Sequence, residues 1–133
     1  MLGWYISVHR KAARRKRPAT VNSPSGPRIA AWQGGLDAID WLEALIPDGA
    51  VIDLHGNGYP RRMTGRADAL VPTILAGPPG AHDVWVAGPN DRFVAEPVDS
   101  LGTGWLGRTT IDRREAERCS PTEWLLLEVW DES

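Results

Sequence analysis

At 133 residues, with 42% hydrophobic and 24% charged side chains, the chain is long enough for one domain with its own core and short for two. Cys119 is the single cysteine, which excludes an internal disulfide scaffold and points to a reducing compartment. No apolar run approaches membrane-spanning length, and the first residues lack a basic region followed by an apolar one, so a cytoplasmic protein without a membrane partner is expected.

The net charge of −2 hides a division. Arg10, Lys11, Arg14, Arg15, Lys16 and Arg17 put six cations in one short run with no acid among them. The rest of the chain keeps nine cations against 17 acids, an excess of eight negative charges. A basic segment on an acidic body can bind the body itself, a nucleic acid, or water alone. Seven tryptophans against two tyrosines and one phenylalanine suggest a core built on few large anchors, or rings kept for a partner.

Residues 3–10 alternate Trp4, Ile6 and Val8 with Tyr5, Ser7 and His9, the period of a strand with one apolar face. Residues 11–27 carry the basic run and then Pro18, Pro24, Gly26 and Pro27. Few apolar residues are present there to offset the entropy of ordering, so the stretch reads as a flexible loop that the fold could lose. Residues 28–33 read as a second strand pairing back on the first. Residues 36–46 carry the clearest helical period: Leu36, Ile39, Leu42 and Ile46 form one stripe, widened by Ala38, Trp41 and Leu45. Asp37, Asp40 and Glu43 lie off it, and Pro47 with Gly49 ends the run.

Strands are expected at 50–55 and 59–64, joined by Asn57-Gly58, a strong type I′ hairpin signal. A short helical segment should end near Val71, because Pro72 breaks further helix. Two short strands, 84–87 and 92–95, flank a Gly-Pro-Asn-Asp turn, and 100–107 is a glycine-rich loop. Asp112 and Glu115 have the spacing of a capping pair opening a short helix. Residues 123–130 are apolar on both faces, as in a central strand near the first. Glu128 is the exception there, and a half-buried acid needs a partner such as an arginine. The fold class is therefore α+β in a single domain, 1–133: a mostly antiparallel sheet of short strands with one main amphipathic helix, 36–46, on one face, and a flexible basic and proline-rich loop at 11–27.

The chemistry is sparse. Gly102, Gly104 and Gly107 match a dinucleotide-binding spacing, but too few residues follow for a βαβ array, so the stretch reads as a structural loop. His9, His55, His82 and Cys119 show no paired metal-ligand spacing, and no metal or cofactor is expected. Cys119 reads as a small buried hydrophobe rather than a nucleophile. Asp53 and His55 would share a strand face, and a carboxylate beside an imidazole is half of a general-base pair. Asn57, Tyr59, Arg61 and Arg66 crowd beside a tight turn, and Tyr and Arg are frequent interface anchors. The leading expectation is a small cytoplasmic protein-binding module without catalysis, of the inhibitor or immunity type found in bacteria and mobile elements, using those four residues. The alternatives are a small enzyme using Asp53 and His55, and a nucleic-acid binder using Arg10, Lys11, Arg14, Arg15, Lys16 and Arg17.

Overall fold

The structure is a computed structural model that describes residues 4–34, 37–54, 60–77, 85–87, 93–95 and 110–131. Its centre is a six-stranded antiparallel sheet. In chain order the strands are β1 (Trp4–Lys11), β2 (Ser25–Gly34), β3 (Val51–Asp53), β4 (Arg61–Arg66), β5 (Trp85–Ala87), β6 (Phe93–Ala95), β7 (Thr110–Ile111) and β8 (Trp124–Asp131). The main sheet runs β3-β4-β8-β1-β2-β7, while β5 and β6 pair with each other. The last strand thus lies beside the first and inside the sheet, as its two apolar faces require.

Cross-strand register assigns each side chain to a face, because directly opposed residues share one. Ile6 opposes Trp32 and Val129, and Val8 opposes Ala30 and Leu127. Met63 also opposes Leu127, and Gly65 opposes Leu125. These residues make the core face, and all are buried. Gly65 is required there: a Cβ would lie 2.6 Å from Leu70 Cδ1 and 3.2 Å from Val51 Cγ2. The opposite face carries Tyr5, Ser7 and His9 against Trp130, Glu128 and Leu126. Arg62 and Thr64 continue it on β4.

Three short helices bury their apolar sides in the core cluster: α1 (Asp40–Glu43), α2 (Ala67–Ala76) and α3 (Arg113–Glu117). The single long helix expected at 36–46 is not found. Ala38, Ile39 and Leu42 are buried and Asp37, Asp40 and Glu43 exposed, so the stripe faces the core as expected. Only Asp40–Glu43 is α-helical, however, and the chain continues in turns to Gly49. Ile39 at the N-cap offers no side-chain oxygen to the first amides. Leu45 and Ile46 donate to Leu42 and Glu43, the tighter i−3 pattern, which fits a chain already turning toward Pro47. Leu36 lies outside the described residues.

The longest described helix is instead α2, which runs through Pro72 rather than stopping before it. Pro72 is exposed and forfeits one hydrogen bond, while Leu70 and Ile74 on either side of it are fully buried. The first two amides of α2, on Ala67 and Asp68, donate to the carbonyls of Glu123 (2.8 Å) and Pro121 (3.2 Å), so neighbouring chain replaces a side-chain cap. At α3 the expected cap is present: the Glu115 amide donates to Asp112 Oδ1 at 3.1 Å.

The segment 12–24 crosses the face opposite the helices. The Ala19 amide donates to Thr64 Oγ1 at 3.0 Å, and the Trp124 amide donates to the Arg15 carbonyl at 2.7 Å. Ala19, Thr64 and Leu126 are all buried. The sheet is therefore covered on one side by helices and on part of the other by this connection.

Candidate functional site

The β1 alternation places Ser7 and His9 side by side on the face opposite the helices, and β8 brings Glu128 against Ser7. Ser7 Oγ lies 3.1 Å from His9 Nε2, and His9 Nδ1 lies 3.4 Å from the Gly26 carbonyl. Glu128 Oε1 is 3.8 Å from His9 Nε2, and its other oxygen accepts from Arg62 at 3.3 Å. Arg62 also donates to the carbonyls of Val21 (2.8 Å) and Ser23 (3.3 Å), which fastens the crossing segment to the sheet. Glu128 thus has the arginine partner that its place in an apolar strand demands.

This chain of polar groups resembles parts of a hydrolase and lacks the arrangement of one. A nucleophile–base–acid relay needs the acid on the imidazole nitrogen remote from the nucleophile. Here Glu128 and Ser7 both address Nε2, while Nδ1 faces a backbone carbonyl. Ser7 is buried and Glu128 is shared with Arg62. These contacts join β1, β4, β8 and the crossing segment on this face.

Burial, the largest influence, pushes the His9 pKa below its ordinary 6.5. The Gly26 carbonyl and Glu128 push it up, and Arg28 and Arg62 push it down again. A histidine whose pKa falls on folding leaves stability intact above the unfolded value and weakens it as pH drops below about 6.5. Denaturant melts should therefore show wild type losing stability between about pH 7.5 and 5.5, and His9→Asn losing less over the same interval. Equal losses would place the acid sensitivity elsewhere.

Around this network lie the large exposed hydrophobics of the described residues: Val21 (39% exposed), Ile52 (38%) and Trp130 (40%). Ile52 opposes Thr64 on β4, Trp130 opposes Tyr5 on β1, and Val21 is held over Arg62 through its carbonyl. All three belong to the side of the sheet without helices. The crossing segment covers Leu126 and Thr64; at the other end of the face Trp130 is exposed and Tyr5 half-buried.

The sequence-selected residues are distributed differently. Arg61 pairs with Asp53 at 2.7 Å and lies 3.7 Å from Glu43, so Asp53 meets an arginine. Arg66 pairs with Asp68 at 2.8 Å. His55, Asn57 and Tyr59 lie outside the described residues, as do the Asn57-Gly58 turn, His82 and the glycines of 102–107. The basic run divides. Arg10 and Lys11 are buried, 8% and 5% exposed, while Arg14, Arg15, Lys16 and Arg17 are exposed. Arg10 donates to Glu123 at 2.8 and 3.0 Å and to Glu115 at 3.0 Å. Lys11 Nζ donates to the carbonyls of Arg14 (2.8 Å), Arg17 and Pro18.

Cys119 lines a shallow apolar cavity of about 280 Å³ with Ala67, Val71, Pro72 and Pro121. Burial first, then the charge of Glu123, pushes its thiol up to about 11, so it stays protonated and unreactive near neutrality. Among the described residues no group of three or more His, Cys, Asp or Glu side chains could hold a metal, and no helix is long and apolar enough to cross a membrane.

Comparison with known families, characterised proteins and solved structures found nothing that the chain matches. The reading of function therefore stands on this geometry.

Proposed function

We propose that the chain is a non-enzymatic protein-binding module that docks a partner on the Trp130 end of the sheet face opposite its helices. The supporting observation is that Val21, Ile52 and Trp130, the large exposed hydrophobics of the described residues, all belong to this one face, each more than a third exposed. Single exposed hydrophobics need no explanation, but three on one face that also carries half-buried Tyr5 support an interaction surface. Trp is the residue type most enriched among binding hot spots, and a sheet face already fixed by hydrogen bonds loses little entropy on docking. Arg61 and Arg66, the anchors read from the sequence, are each engaged with acids of the chain itself, so a partner contacting them would have to compete. Small size and an acidic body suit an inhibitor or immunity-type role in the cytoplasm.

The test is affinity capture from a native host lysate with wild type, Trp130→Ala and Glu117→Ala, the last an exposed residue of α3. A protein should co-elute with wild type and Glu117→Ala and be reduced at least tenfold with Trp130→Ala, about 1.4 kcal/mol or more. Equal capture by all three variants would remove this face from consideration.

A further inference from the structure

The exposed turn 14–17 is a second surface with its own chemistry. Its backbone is fixed from inside. The Lys11 ammonium, anchored at the end of β1, collects the carbonyls of Arg14, Arg17 and Pro18, and the Arg17 amide closes a turn onto the Arg14 carbonyl at 3.1 Å. Arg14 sits at φ 53, a left-handed conformation that turns the chain sharply. Arg15 is tied back, with its Nε donating to the Lys11 carbonyl at 3.3 Å and its own carbonyl receiving the Trp124 amide. With three carbonyls drawn inward, Arg14, Lys16 and Arg17 stand in solvent, and no acid among the described residues pairs with them.

Exposed Arg28 on β2, opposite His9, also lacks an acid partner among the described residues, but most of the other described arginines do not. Arg10, Arg61, Arg62, Arg66, Arg113 and Arg118 each meet a carboxylate. Burial lowers the Lys11 pKa, and the charges of Arg17 and Arg14 lower it further. Beside the turn is a concavity of about 340 Å³ lined by Lys11, Arg14, Arg17, Thr20 and Ser23 together with Ala13, Pro18 and Pro24, large enough for a phosphodiester group.

The basic run contains no aromatic residue, which in the sequence weakens a nucleic-acid reading. The fold supplies one. Trp124 opens β8 where the turn docks, it is half-buried, and register places it on the same sheet face, opposite exposed Arg66. Arg66 is neutralised by Asp68, so the cations of the site are those of the turn. Unpaired cations on a turn whose backbone docks at a half-buried tryptophan are the kinds of group that single strands use: charge follows the backbone and a ring stacks a base.

We propose that the 14–17 turn, with Trp124, is a binding site for single-stranded nucleic acid, in which Arg14, Lys16 and Arg17 contact phosphates and Trp124 stacks one base. The site is separate from the Trp130 end of the face and does not depend on the protein-binding reading.

Fluorescence anisotropy of the full chain with labelled oligo-dT and oligo-U of about 12 nucleotides tests it. Three phosphate contacts predict a log–log salt slope near −2, at roughly 0.7 per phosphate. The triple variant Arg14→Asn, Lys16→Ser, Arg17→Ser should bind at least tenfold more weakly and flatten the slope, with an unchanged melt. Asn is chosen because it tolerates the left-handed backbone at position 14. Trp124→Ala should weaken binding about tenfold, and Trp124→Phe should restore it, which a purely structural role at the strand end would not predict. No binding at low salt, or wild-type affinity in the triple variant, would overturn the site. Equal affinity for duplex DNA with no effect of Trp124→Ala would overturn the single-strand assignment. Binding to anionic vesicles but not to the oligonucleotides would also overturn it.

Discussion

Glu123→Ala should destabilise the protein by about 3–5 kcal/mol, the cost of leaving a buried cation without its partner. Glu123 is 2% exposed and Arg10 8%, and two hydrogen bonds of 2.8 and 3.0 Å join them. Glu115, also mostly buried, takes the third guanidinium bond but cannot replace a bidentate partner. The Ser120 amide, which donates to Glu123 Oε1 at 3.3 Å, is orphaned as well. Replacing both partners by apolar residues, Arg10→Met with Glu123→Leu, should cost much less than Glu123→Ala alone, because the buried cation goes with its partner and Glu115 keeps Arg118 at 3.4 Å.

The pH dependence follows from the same pair. Burial pushes the Glu123 carboxyl up, but the hydrogen bonds from Arg10 and Ser120 and the charges of Arg10 and Arg15 together bring it below its ordinary 4.5. A depressed carboxyl contributes stability above the unfolded value and loses it as pH falls through the folded one. Urea melts from pH 7 downward should show wild type weakening below about 4.5 and Glu123→Gln weakening less. Parallel curves would mean the pair is not formed as described.

The second large effect concerns the segment 12–24. Replacing it by a two-residue turn gains about 1.5 kcal/mol of loop-closure entropy, from the logarithm of the length ratio. Against that, Leu126 becomes exposed, worth about 1.5–3 kcal/mol for a large apolar side chain. The bonds Ala19–Thr64 and Arg15–Trp124 are lost at about 1 kcal/mol each. Lys11 loses the carbonyls that hold its ammonium, and Arg62 loses two more. The costs exceed the gain, so the shortened chain should melt well below wild type. A melting temperature at or above wild type would show the crossing segment to be dispensable, as its composition suggests.

These two predictions mark where the sequence was readable and where it was not. Strand alternation located the β1, β2, β4 and β8 ladders to within a few residues, because one residue of slip would send Ile6, Val8, Leu125 and Leu127 to the wrong face. The need of Glu128 for an arginine and the Asp112–Glu115 cap followed from local rules and are present. The helix at 36–46 was overextended because its apolar period reports which face is buried, not whether i−4 hydrogen bonds close. Pro72 was read as a stop, yet tertiary capping of Ala67 and Asp68 by a neighbouring loop outweighs one missing bond. The basic run looked uniform. A signal was nevertheless present: Arg10 continues the core-facing series Trp4, Ile6, Val8, and Lys11 the opposite series Tyr5, Ser7, His9. Carrying the alternation two residues further separates the buried cations from the exposed ones. The exposure of Trp130 on the second face was not legible, since which part of that face is buried depends on where the crossing segment lies rather than on any motif.

The central claim is that partners dock at the Trp130 end of the sheet. Photo-crosslinking tests it directly: a photoreactive residue is placed at position 130, and in parallel chains at 117 and at 66, and each is irradiated in native host lysate. Crosslinks to one protein from position 130, absent from 117 and weak from 66, are the predicted result. Crosslinks to a protein from 66 or 117 with none from 130 would contradict the account.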